Sequence, residues 1–192
     1  MEAFLRAVLP MMMGRIQFKI RRFHSKDQLL KHLPSRLQGY AHWIPADHKI
    51  VVLTDRDNED CRRLKAQLEQ MALNAGLATR SQPTDDQFAV INRIVIEELE
   101  AWYFGDWQAV QNAYPRVSPA IPRQQRYRDP DAIQGGTWEH FERVLQRAGY
   151  FKTRLRKIEA AQSIGPYIDP ENNRSHSFQC FRDALEELVG PC

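Results

Sequence analysis

A chain of 192 residues, 43% hydrophobic and 27% charged, can bury one real core with room for a small appended lobe. Its net charge of only +3 excludes a strongly polybasic molecule, and no apolar stretch is long enough to span a membrane. Three widely spaced cysteines (Cys61, Cys180, Cys192) argue against a disulfide framework, six histidines without metal-ligand spacing argue against zinc, and a reducing cytoplasm is the expected setting.

The first thirteen residues are apolar but carry Glu2 and Arg6 and lack a cleavage site. Phe4, Leu5, Val8 and Leu9 fall on one face of a helix, with Pro10 expected to bend or end it. Residues 16–23 (IQFKIRRF) alternate enough for a strand. Ser25 can cap a helix over residues 26–37, with Leu29, Leu30, Leu33 and Leu37 as its stripe and Pro34 near its end. Residues 50–53 (IVVL) read as a strand buried on both faces. A helix over residues 59–75 follows, stopped by Gly76, and then a polar loop over 79–87. Residues 88–96 (FAVINRIVI) are the second strong strand and turn directly into a helix over 97–104, broken by Gly105. This alternation predicts an α/β fold with a mainly parallel sheet flanked by helices, over residues 1–106. Residues 107–192 read as a helical, loop-rich C-terminal region, with helices near 107–113, 137–148, 154–164 and 177–189.

The sharpest chemical signal is IVVLTDRDNED, residues 50–60. The C-terminal edge of parallel strands is where open α/β sheets bind ligands. In extended backbone Asp55 and Asp57 project to the same side, and carboxylates so close repel unless a cation bridges them. Mg²⁺ (or Mn²⁺), a hard ion with oxygen ligands, is the natural bridge. The other reading is that these acids form a turn and cap the next helix. In IVIEELEAW, residues 94–102, Glu97 or Glu98 could complete the metal site or act as a general base; otherwise these acids only favour a helix N-terminus. In a helix Glu97 would share a face with Glu100, and Asp106 is a further candidate. Arg123, Arg126, Arg128, Lys152 and Lys157, interleaved with aromatic residues, suit DNA or RNA, or form an ordinary solvated surface.

TDRDNEDCRRLKAQLE, IVIEELEAWYFGDW, YRDPDAI, RAGYFKTRLRKIEAA and NRSHSF together resemble the bacterial domain-of-unknown-function family DUF4276, over nearly the whole chain. That family looks Toprim-like. Toprim domains of topoisomerases, primases and overcoming-lysogenization-defect nucleases use a glutamate after the first strand and a later D-x-D to hold Mg²⁺ for phosphodiester chemistry. The resemblance places Asp55 and Asp57 in that D-x-D. It also implies an ATPase partner, in some relatives linked to phage defence. The family usually opens with a strand ending in an acidic motif, and this chain starts inside that motif, at Met1-Glu2-Ala3-Phe4. The opening strand and its glutamate are therefore expected upstream.

The expected function is Mg²⁺-dependent phosphodiester cleavage as a nuclease-type subunit. The alternative is a catalytically silent module that binds an ATPase or nucleic acid. A haloacid-dehalogenase-type phosphatase fits poorly, because Asn58-Glu59 follows Asp57 where that motif continues with threonine or valine.

Overall fold

The computed structural model describes residues 1–57, 59–85 and 87–189; Asn58 of the acidic motif and Cys192 lie outside them. The chain divides into two compact units, one of Met1–Ile20 with Val95–Cys192, the other of Arg21–Ile94. The fold class is α/β: helices dominate, and the sheet is a parallel pair.

Ten α-helices and β-strands follow one another along the described residues. They are α1 (Glu2–Met13), α2 (Lys26–Ala41), β1 (Ile50–Asp55), α3 (Cys61–Asn74), β2 (Val90–Val95), α4 (Glu100–Gly105), α5 (Trp107–Ala113), α6 (Thr137–Arg147), α7 (Lys157–Ile164) and α8 (His176–Val189). In the Arg21–Ile94 unit, Ser25 caps α2 by accepting from the Gln28 amide at 3.2 Å. Leu29, Leu33 and Leu37 recur every four residues, line one face of α2, and meet Leu64, Leu68 and Ala72 of α3 with Val52 and Val90 of the strands. Pro34 does not end α2, which continues to Ala41 with its leucine face still buried. β1 and β2 pair side by side. The chain before β2 is not wholly loop, because Thr79 bridges Val90 in parallel.

The other unit is built on aromatic residues. All six residues of α4 are buried. Trp102 stacks on Phe181 at 5.3 Å between centroids and meets Phe178 edge-on at 5.1 Å, while Phe104 stacks on Tyr127 at 4.9 Å. The Trp102 indole N–H donates to Ser177 Oγ at 2.9 Å, satisfying the one polar atom its burial would strand. Helix α1 packs on α7 and α8 through Phe4, Leu5, Val8 and Leu9, as its apolar face predicts, and runs past Pro10 to Met13.

Three sequence expectations need correction. Residues 16–23 form no strand: the segment is mostly exposed, and alternation alone supplies no partner for its backbone. The helix expected over 97–104 begins only at Glu100, because Glu97 sits in the left-handed region at φ 62°. The helix expected from residue 154 begins at Lys157. Cys61 and Cys180 are free thiols. No helix among the described residues is long and apolar enough to cross a membrane.

Candidate functional site

β1 ends at Asp55, so alternation does not extend to Asp57, which adopts φ 50° in the turn that follows. The two acids remain two residues apart, their Cα atoms within about 7 Å. Neither caps the next helix. Asp60 takes that place, accepting from the Arg63 amide at 2.7 Å. The cap reading of Asp55 and Asp57 therefore gives way: the structure meets the need for an N-cap with a third acid.

Asp57 is held from α2. The Lys26 ammonium lies 2.7 Å from Asp57 Oδ2 and 2.8 Å from Glu59 Oε1, and donates to the Arg56 carbonyl at 3.1 Å. All three ammonium protons thus have an acceptor. Burial pulls the Lys26 pKa down, but the hydrogen bonds and charges of Asp57 and Glu59 outweigh it and hold it above the ordinary lysine value. The lysine side chain is 15% exposed, against 49% for Asp57 and 42% for Glu59, so the carboxylates still face water. On the same turn, a hollow of about 570 Å³ is lined by Arg56, Glu59, Asp60, Cys61 and Arg62. Lys26, Arg56 and Arg62 were not singled out from sequence. Lys26 lies thirty-one positions before Asp57, and only the packing of α2 beside α3 brings it there.

Among the described residues, no three His, Cys, Asp or Glu side chains gather so as to hold a metal unaided. Mg²⁺ does not need such a cage; it keeps waters and takes one or two carboxylates with substrate phosphates. Asp55 and Asp57 fit that donor set by chemistry.

Glu97 and Glu98 belong to the other unit. Glu97 follows β2 by two residues in its left-handed conformation. Glu98 has a structural task there. Its Oε2 accepts from the Trp138 amide and from Thr137 Oγ1, both at 3.0 Å, and so caps α6 from a distance. The residue at the cap position itself, Gly136, has no side chain to do so and sits at φ 84°. Asp106 likewise caps α5 through the Ala109 amide at 3.0 Å and accepts from the Asp169 amide at 2.7 Å.

Glu100 differs from both. Its side chain is only 5% exposed, and it pairs with Lys157 at 3.7 Å. Burial raises its pKa, partly offset by the charge of Lys157. Of the expected nucleic-acid residues, Arg123, Arg126, Arg128 and Lys152 are exposed, Arg126 lying 5.8 Å over the Tyr127 ring. Lys157 lies 4.7 Å over Trp138.

The molecule is thus an α/β protein whose first strand leads into an acidic turn. It belongs to the family described as Domain of unknown function (DUF4276), whose model matches residues 1–188. No curated protein and no solved structure matches the chain.

Proposed function

We propose that the turn after β1 is a divalent-cation site for phosphodiester cleavage, with Asp55 and Asp57 as the metal's carboxylate ligands. The observation that carries this reading is that Asp60, not either of them, caps α3. With α3 capped by Asp60, Asp55 and Asp57 stand at a strand's C-terminal end, where open α/β sheets bind ligands. Two further features support it. Asp57 is a non-glycine residue in the left-handed region, and conformations of that kind collect at functional sites. The neighbouring hollow also offers Arg56 and Arg62, whose planar guanidinium groups suit phosphate oxygens.

Bound Mg²⁺ would supply charge stabilisation at the phosphoryl oxygens. The chain's own part is narrower. Lys26 fixes the Asp57 carboxylate through Oδ2 and keeps its positive charge at neutral pH. Glu98 takes no part in this proposal, since its Oε2 is committed to the start of α6. The Toprim-like resemblance extends the proposal to a nuclease-type subunit that works with an ATPase partner in a defence-type system.

The second reading is a silent interaction module. Lys26 favours it, because an ammonium already stands between Asp57 and Glu59 as a built-in cation. Cleavage of bis(p-nitrophenyl) phosphate and of supercoiled plasmid, with Mg²⁺ or Mn²⁺, separates the two. The metal reading predicts turnover that EDTA abolishes and that Asp55→Asn lowers by roughly a hundredfold or more, the scale on which lost charge stabilisation acts. Metal-independent turnover, or none with either substrate, favours the module.

A further inference from the structure

We propose that the hollow lined by Trp138, Arg154, Leu155, Arg156, Lys157 and Ile158 binds a nucleotide phosphate, with its cations on the phosphate and Trp138 beside the base. The hollow measures about 350 Å³, within the range of small-ligand sites. It lies wholly within the unit of Met1–Ile20 and Val95–Cys192, and it does not rest on the metal reading.

The loop that carries the cations is pinned. The Leu155 amide donates to Glu142 Oε1 at 2.5 Å, Gln146 Nε2 donates to the Thr153 carbonyl at 3.3 Å, and Arg116 Nη2 donates to the Gly149 carbonyl at 3.1 Å. Leu155 is buried between exposed Arg154 and Arg156, so the loop is anchored while its charges face outward. Two of the cations are held in place. Arg156 lies 5.3 Å over the Phe151 ring and pairs with Glu159 at 2.9 Å, and Lys157 lies over Trp138 and pairs with Glu100. Arg154 makes no side-chain hydrogen bond or ion pair among the described residues. Cations fixed before binding lose less freedom on meeting an anion.

Arginine forks recognise phosphate through paired N–H donors. A free inorganic anion would need nothing more, yet the hollow also has an indole wall and Ile158, an isoleucine 69% exposed to water. An apolar, aromatic wall beside phosphate-seeking cations matches a base joined to a phosphate, either as a free nucleotide or within a strand. Glu100 works against the anion. Its carboxylate holds Lys157 from the buried side and places a negative charge near the phosphate position. Removing that charge should therefore strengthen binding, whereas removing Lys157 should weaken it.

Calorimetric titration of the full chain in EDTA tests this with adenosine 5′-monophosphate, inorganic phosphate, adenosine and oligothymidine. The monophosphate is expected to bind at least about tenfold more tightly than phosphate or adenosine alone. Arg154→Ala and Lys157→Met should each weaken it by about tenfold, and Glu100→Gln should tighten it. Arg154 is exposed, so its variant keeps the test valid if the others misfold. Tighter binding of oligothymidine assigns the phosphate to a strand, and tighter binding of the monophosphate assigns it to a free nucleotide. The proposal is overturned if neither binds, if the monophosphate binds no better than phosphate, or if Arg154→Ala and Lys157→Met leave its affinity unchanged.

Discussion

Lys26→Met is expected to destabilise the metal-free protein by about 2 kcal/mol, the scale for hydrogen bonds to charged groups, and to make it respond more strongly to Mg²⁺ than wild type does. The ammonium bonds to Asp57, Glu59 and the Arg56 carbonyl. Methionine keeps an unbranched apolar stem of similar length but leaves two carboxylates facing one another without a cation. Their mutual repulsion then falls on the apo fold. Mg²⁺ relieves that repulsion, and ligand that binds only the native state raises stability by mass action. In wild type the ion has to act beside a lysine that already supplies positive charge, so its gain is smaller. Thermal melts of both proteins, with EDTA and with Mg²⁺, give four midpoints. A fall on mutation with no extra Mg²⁺ response would mean that Lys26 is a structural clamp and that the turn has no use for a metal.

Asp131→Ala is expected to have a larger effect, about 3 kcal/mol from lost charged hydrogen bonds and stranded donors, or a fall of roughly 10 °C in melting temperature for a chain of this size. Asp131 Oδ1 accepts from Ser175 Oγ at 2.8 Å and Ser177 Oγ at 3.0 Å, and Oδ2 accepts from the Ser177 amide at 2.8 Å. Ser175 Oγ in turn accepts from the Phe178 amide at 3.2 Å, and Ser177 Oγ receives the Trp102 indole N–H. One carboxylate thus ties the start of α8 to the aromatic core. Both serines are buried, so water cannot replace the lost acceptor without opening the packing. Asp131→Asn keeps one carbonyl acceptor and should recover part of the loss. A melting temperature within 2 °C of wild type for Asp131→Ala, in terms of the same scale, would contradict this account of the network.

The network also gives two of the recognisable motifs a structural role. In YRDPDAI and NRSHSF, which carry part of the family resemblance, Asp131, Asn173, Ser175 and Ser177 spend their polar atoms on one another and on the backbone. Asn173 donates to the Trp102 carbonyl at 2.9 Å, and the absence of a side chain at Gly105 is what lets it approach; a Cβ there would lie 2.0 Å from Asn173 Oδ1. Period and composition reveal helices and the strand IVVL, because apolar spacing fixes which face is buried. They made Leu29, Leu33 and Leu37 legible as core. They could not reveal Lys26 over Asp57, since that pairing depends on how α2 and α3 pack. Nor could they show that Glu98 is a distant cap, because the need for it arises at Gly136, thirty-eight positions away. The strand pattern of residues 16–23 was real as a pattern, but pairing is a property of two segments and not of one.

The most direct measurement of the central claim is calorimetric titration of Mg²⁺ and Mn²⁺ into the wild-type chain and into Asp55→Asn/Asp57→Asn. Asparagine keeps the shape of each side chain and removes the charge that a hard cation requires. The account predicts a saturable isotherm for wild type and none for the double variant, with α3 still capped by Asp60 and the variant still folded by circular dichroism. Equal heats for the two proteins, or no saturable binding by wild type, would contradict it.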